Sequence, residues 1–183
     1  MELKKVNILL TGPPGSGKTR LIQKIVQDLK GSGVNVGGLV TPDVRIGGER
    51  TGFHIVDLLT GEKGLMADAS YNSDIKVGRY GVNLAVIREI GVSALYRAIS
   101  KSDIIIIDEI GKMELYSKEF QEAVERAISS AKPLLGTVGE RLMHPFVARI
   151  KTMAGVQLMT LSRSNWDETY EKIKEIILQS KKM

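Results

Sequence analysis

The stretch Gly12-Pro13-Pro14-Gly15-Ser16-Gly17-Lys18-Thr19 fits the pattern G-x-x-x-x-G-K-[ST] and constrains this chain more than any other feature. A loop of this kind works only where a strand leads into it and a helix leads out. Both flanks meet that condition. Val6 to Leu10 is a short apolar run that reads as a buried strand, and Leu21, Ile22, Ile25, Val26 and Leu29 recur at helical spacing behind the loop. The residue types follow from the task. Backbone N–H groups must point inward around a phosphate chain, where side chains would obstruct them, and Gly15 and Gly17 permit the backbone this requires. Lys18 is expected to reach the β- and γ-phosphates, and the Thr19 hydroxyl to give an oxygen ligand to Mg2+. The segment from Gly12 to Thr19, with Pro13, Pro14 and Ser16 between the glycines, is the candidate nucleotide-binding loop.

A phosphate loop needs a partner that holds the metal. Ile104-Ile105-Ile106-Ile107-Asp108-Glu109 has the expected form, a β-branched strand buried on both faces that ends in acids. Asp108 is the candidate second metal ligand, acting through a water. Glu109 is the candidate base that orients or deprotonates a water attacking the γ-phosphorus. Side chains alternate along a strand, so the two acids are expected to start on different faces and to differ in role.

The rest of the chain alternates strands and helices. Val34 to Val40, Leu134 to Val138 and Val156 to Leu161 read as strands. Helices are expected from about Val92 to Lys101, after Ser117 as N-cap, and from Ser164 or Asn165 onward. Thr51 to Leu59 and Lys63 to Ala67 flank Thr60-Gly61-Glu62 and suggest an antiparallel hairpin, with Gly47-Gly48 marking a turn before it. Residues 68–84 show no period and read as loop. The alternation predicts a three-layer α/β fold with a central, mostly parallel sheet and the hairpin as an insertion at one edge. The 183 residues suit one domain spanning 1–183, with the glycine loop at 12–19, the insertion at about 51–67 and the acid-bearing segment at 103–110.

Composition excludes several other chemistries. There is no cysteine, hence no thiolate metal site and no cysteine nucleophile, and His54 and His144 are too few for a histidine-rich zinc site. The longest aliphatic run, Ile104 to Ile107, is far too short to span a membrane, and the start Met1-Glu2-Leu3-Lys4-Lys5 does not read as a secretory signal. The expected location is the cytoplasm, with no membrane partner. The net charge is +5, but basic residues interleave with acidic ones and aromatic residues make up 5%, which argues against a nucleic-acid surface. Lys181-Lys182 is the one bare basic cluster.

In its loop and acid-bearing strand the chain resembles the P-loop nucleoside triphosphatases. The continuation Asp108-Glu109-Ile110-Gly111-Lys112-Met113-Glu114-Leu115 resembles the signature of the THEP1 family of small nucleoside-triphosphatases. Thr51-Gly52-Phe53, Tyr80-Gly81-Val82-Asn83 and His144-Pro145 are similar to that family's shorter motifs, in the same order. The resemblance runs from about residue 6 to 178. It implies Mg2+-dependent hydrolysis of nucleoside triphosphates to diphosphate and phosphate, with tolerance of the base (ATP, GTP, CTP, UTP, TTP). It also implies nucleotide contacts at Gly12 to Thr19 and roughly Asp103 to Ile110. Two positions depart from the family pattern: Arg20 stands where a second threonine is common, and Trp166 where an arginine is usual. By analogy with triphosphatases whose metal-binding acid is followed by glutamate, the strand order is expected to be RecA-like, with Leu134 to Val138 between the first strand and the Asp108 strand.

Beyond the motifs, Lys112 is the candidate cation that offsets charge on the γ-phosphate, with Arg79 and Arg141 as alternatives. Asn83 is a candidate to position water or a ribose hydroxyl. His144 reads as structural, and Phe53 and Trp166 as core residues rather than base-stacking ones. Two other functions fit the loop. A small-molecule nucleotide or nucleoside kinase would close an arginine-rich lid over its acceptor, whereas the longest candidate segment here, 139–151, holds only Arg141 and Arg149. A nucleotide-gated switch acting on a protein or RNA partner would show weak basal turnover.

Overall fold

The isoleucine run divides the core in two, as a strand's period of two requires. Ile104 and Ile106 pack with Leu21, Ile25 and Ile173 on one side, and Ile105 and Ile107 with Leu95, Phe120 and Ile150 on the other. All four isoleucines are 0% exposed. This is a computed structural model, and it describes residues 3–178; the basic pair Lys181-Lys182 lies outside them. The described strands are β1 (Asn7–Thr11), β2 (Val36–Val40), β3 (Asp43–Ile46), β4 (Glu49–Asp57), β5 (Lys63–Asp68), β6 (Lys76–Val77), β7 (Tyr80–Val82), β8 (Ile104–Ile110), β9 (Leu134–Val138) and β10 (Val156–Thr160). The helices are α1 (Lys18–Gly31), α2 (Leu84–Val86), α3 (Ser93–Lys101), α4 (Lys118–Ser129), α5 (Pro145–Lys151) and α6 (Trp166–Leu178). Helices α1 and α6 cover one face of the sheet, and α3, α4 and α5 cover the other.

The strands form one sheet in the order β10-β1-β9-β8-β2-β4-β5-β7-β6, with β3 paired to β4. The first five are parallel neighbours, and β9 lies between β1 and β8, the RecA-like order expected from the sequence. From β2 outward the pairing turns antiparallel. The sheet is therefore mixed, with its parallel half under the glycine loop. No helix among the described residues is long and apolar enough to cross a membrane.

The outer half differs from the sequence reading in several places. The expected hairpin is present as β4 and β5, attached at the edge of the parallel strands through β2, and the sheet continues past it into β7 and β6. Gly47-Gly48 is itself a hairpin turn, joining β4 to the unforeseen strand β3, whose four residues Asp43-Val44-Arg45-Ile46 alternate polar and apolar over too short a run to stand out and are mostly exposed. Residues 68–84, read as loop, contain β6 and β7, which are too short for a period to show. The helix read from Val92 begins earlier, at Leu84, and passes through a π-helical stretch, Ile87–Val92, before α3. Gly91 looks like a break in the sequence. In the fold it lies against Ile55, where a Cβ would come within 2.6 Å of the Ile55 Cδ1. Helix α5 was hidden inside the segment weighed as a lid.

Candidate active site

The glycine loop leaves the buried end of β1 and turns into α1. Gly17 caps that helix with φ of 93°, a left-handed conformation that favours glycine. The position is also crowded, since a Cβ would lie 2.9 Å from the Trp166 indole nitrogen. That nitrogen donates to the Gly17 carbonyl at 3.1 Å, and Arg163 Nε donates to the Gly15 carbonyl at 3.2 Å. The segment between β10 and α6 thus braces the loop from behind. Trp166 packs against the core, as expected, stacks on Tyr170 and lies under Arg20. Lys18 Nζ folds back onto the carbonyls of Gly12 (2.7 Å) and Pro13 (3.3 Å). The Ser16 hydroxyl is buried with no protein partner, in the segment expected to wrap a phosphate.

Asp108 is held from three directions. Thr137 of β9 donates to Oδ1 at 2.6 Å, the Thr19 hydroxyl faces the same oxygen at 3.5 Å, and Thr41 donates to the Asp108 backbone carbonyl from both its hydroxyl (3.0 Å) and its N–H (2.7 Å). Its side chain is buried at 5% exposure. Burial pushes its pKa above the ordinary carboxylate value, against the Thr137 and Thr19 hydrogen bonds and the Lys18 charge. Glu109 is also raised, first by burial and then by the neighbouring Asp108 charge, with Lys18 opposing.

The two acids share one cleft, contrary to the expectation from strand alternation. Between Ile107 and Ile110 the β8–β9 register shifts: Ile107 pairs with Gly136 and Ile110 with Val138, so three steps along β8 match two along β9. The extra residue is a bulge at the acids, a place where the plain alternation of strand side chains is interrupted.

The cleft has a volume of about 560 Å3. Lys18, Thr19, Asp108 and Glu109 line it on the loop side, and Arg50 and Phe53 on the side of the outer strands. A second cleft of about 420 Å3 lies toward the end of β9, lined by Gly12, Glu140 and Arg141 among others. Lys18, Glu109 and Lys112 border both clefts and so stand at their junction. Of the alternative cations, Arg141 borders the second cleft. Arg79 borders neither; it pairs with Glu49 at 2.6 Å and donates to the Arg50 carbonyl. Asn83 does not face the cleft. Its side chain caps α2 by accepting from Val86 N at 3.2 Å. His144 is structural, capping α5 through Phe146 N at 3.1 Å.

Sequence reasoning assigned no role to Thr41, Thr137 or Glu114. Glu114 lines the cleft at 2% exposure, and its pKa is pushed up to about 8 by burial first and by the Glu109 charge second. Gly111 explains how it comes so close: a Cβ there would lie 2.6 Å from Glu114 Oε2 and 3.1 Å from Glu109 Oε1. The glycine following the acids was the available signal. Phe53, read as core, packs partly buried against the core and also lines the cleft, which the sequence reading did not foresee.

The donor set at Thr19 and Asp108, a hydroxyl and a carboxylate, suits a hard divalent cation. Mg2+ characteristically takes one or two protein oxygens and completes its shell with phosphates and water. No cluster of three or more His, Cys, Asp or Glu placed for a metal occurs among the described residues.

The profile of a family described as NTPase matches residues 7–174. The chain is 44% identical over 162 residues to the nucleoside-triphosphatase THEP1 of Thermofilum pendens, covering 88% of this chain and 89% of that one. It is 38% identical over 172 residues to the protein of the same name from Methanothermobacter thermautotrophicus, covering 94% and 96%. Among solved structures, the crystal structure of THEP1 from Aquifex aeolicus superposes with a TM-score of 0.84 at 36% identity, covering 94% of this chain and 99% of that one. The solution structure of a human cancer-related nucleoside triphosphatase gives 0.82 at 33% identity, covering 97% and 100%.

Proposed function

The chain belongs to the NTPase family, and from that premise we propose that it hydrolyses nucleoside triphosphates to diphosphate and phosphate by in-line attack of water on the γ-phosphorus. The observation that carries this reading is the position of Glu109: a partly buried carboxylate bordering the same cleft as Lys18 and Asp108. A water held by Glu109 faces the terminal phosphate of a tail gripped by Lys18. The raised pKa makes Glu109 a stronger base than a solvated glutamate, suited to take the proton as the O–P bond forms. The loop N–H groups hold the remaining phosphates, and Lys18 exchanges the Gly12 and Pro13 carbonyls for phosphate oxygens.

Thr19 and Asp108 are the residues that would hold Mg2+, which when bound offsets the charge that develops on the β- and γ-oxygens. Thr137 holds the Asp108 carboxylate aimed at that position, and Thr41 fixes the backbone carbonyl behind it. Lys112, at the junction of the two clefts, supplies the further positive charge, with Arg141 beside it. The groups around Lys18 suit a polyphosphate tail, which is common to ATP, GTP, CTP, UTP and TTP, so recognition through the tail yields tolerance of the base.

Phosphate release from each of the five triphosphates, measured with Mg2+ and with EDTA, tests the reading. All five should be hydrolysed with Mg2+ and none with EDTA, and Lys18→Ala should abolish release. Absence of phosphate release from every triphosphate offered alone with Mg2+ would overturn it.

A further inference from the structure

An attacking water occupies about 30 Å3 of liquid volume, whereas the main cleft offers about 560 Å3. Its character changes along its length. The inner end is Lys18, Thr19, Asp108 and Glu109, with Lys112 and Glu114 beside them; the outer strands add the apolar side chains of Phe53, Met66 and Val77 and a charged rim. That rim is Arg50, whose Nε lies 3.2 Å from Asp43 Oδ2. Phe53 is held by the edge of Tyr80, with ring centroids 5.3 Å apart at 76°, and Arg50 lies over its ring. The outer wall comes from β3, β4, β5 and β6, the antiparallel half of the sheet, which hydrolysis by water does not require.

The direction of a bound triphosphate assigns this space. Lys18 and the metal-ligating Thr19 meet the β- and γ-phosphates, so the terminal phosphorus faces Glu109 and the outer cleft lies beyond it. The nucleoside of the same molecule is at the opposite end of the tail. A volume of this order is that of a small-molecule site, and the outer part joins apolar side chains to a few charged groups, as such sites do. A flat ring would lie on the Phe53 floor, hydroxyl groups would meet the Arg50–Asp43 pair, and a primary hydroxyl would point back at the phosphorus.

We propose that the outer cleft is a phosphoryl-acceptor site for a nucleoside, which takes the γ-phosphoryl group in place of water. The acceptor oxygen forms a bond to the γ-phosphorus, and the bond from that phosphorus to the β,γ-bridging oxygen breaks. Nucleoside diphosphate leaves with that electron pair, and the hydroxyl proton passes to Glu109 and on to solvent. The products are a nucleoside monophosphate and a nucleoside diphosphate. The wall built by the outer strands takes the place of the arginine-rich lid that a kinase would close over its acceptor. The inference rests on the proposed phosphate orientation and on Glu109 as the base.

The test incubates the full chain with ATP labelled at the γ-phosphate, Mg2+, and adenosine, guanosine, cytidine, uridine or thymidine in turn, and separates labelled phosphate from labelled nucleoside monophosphate. At least one nucleoside should divert label into its monophosphate, and Phe53→Ala should lower that product at least tenfold. Label appearing only as phosphate with all five nucleosides overturns the acceptor site and leaves the hydrolase reading standing. Label in a monophosphate without free phosphate supports the site and overturns hydrolysis as the main reaction. A tenfold rise in KM for ATP in Phe53→Ala, with wild type forming no monophosphate, assigns the cleft to the base of ATP itself and overturns the proposal. The wild-type assay decides the question even if the variant folds poorly.

Discussion

The two halves of the sheet were built by different rules. In the parallel half, β10, β1, β9, β8 and β2 lie side by side, and their C-terminal ends carry the phosphate loop, Asp108, Glu109 and Thr137. In the antiparallel half, β3 to β7 carry exposed ion pairs and a partly apolar wall, with no acid of the proposed hydrolytic set. Parallel neighbours place strand ends together on one edge, where ligands of open α/β sheets bind. Antiparallel neighbours alternate their ends and so form a wall rather than a cluster. The difference predicts that substitutions in the first half change turnover, and that those on the exposed surface of the second half do not.

After the complete loss expected of Lys18→Ala, the largest effect is expected from Glu109→Gln. It should lower kcat by about 10²- to 10⁴-fold while binding of a nonhydrolysable triphosphate, followed by titration calorimetry, is retained. Parental turnover in this variant would remove Glu109 as the base and take the parallel half's special status with it. Next is Thr137→Val, which keeps the shape and deletes one hydrogen bond to Asp108. The Mg2+ concentration for half-maximal turnover should rise roughly 10-fold or more, with the KM for triphosphate at saturating Mg2+ nearly unchanged. An unaltered Mg2+ curve would mean that Thr137 serves packing alone.

Glu114→Gln sharpens the comparison through stability rather than rate. The buried Glu114 has its pKa raised from the ordinary 4.5 to about 8. Between those values the folded state holds a proton that the unfolded state releases, so folding stability falls as pH rises through that window and levels off above it. Glutamine does not titrate. Thermal midpoints of the variant should therefore gain on the parent from pH 5 to pH 8, by an amount equivalent to a few kcal/mol at most, and parallel pH curves would show that Glu114 is ionised throughout. The smallest effect is expected for Arg79→Ala. Its ion pair with Glu49 is exposed, and neither turnover nor the thermal midpoint should change; a large loss of turnover would bring the outer strands into the hydrolytic machinery.

Local signals accounted for much of this architecture. The glycine loop between an apolar run and a helical stripe, the four isoleucines ending in Asp108-Glu109, and the Ser117 cap, which accepts from Phe120 N at 3.2 Å, are each encoded within a few residues. Weak signals were lost where elements are short or exposed: β3 alternates over only four mostly exposed residues, β6 has two residues, and Gly91 hid the helix that runs through it. The pairing of Asp108 with Thr137, 29 positions later, leaves no pattern in a single sequence.

The amino-acid order by itself determined that a phosphate loop, a strand-end acid and a neighbouring glutamate exist, because burial, helical period and glycine at tight turns act between near neighbours along the chain. Only the tertiary structure decided that the two acids face one cleft, that Glu114 sits against Glu109, and that Phe53 and Arg50 form the far wall. Those outcomes depend on a one-residue bulge in β8 and on contacts between strands distant in sequence. Such contacts arise from the packing of elements against one another, and no local periodicity records them.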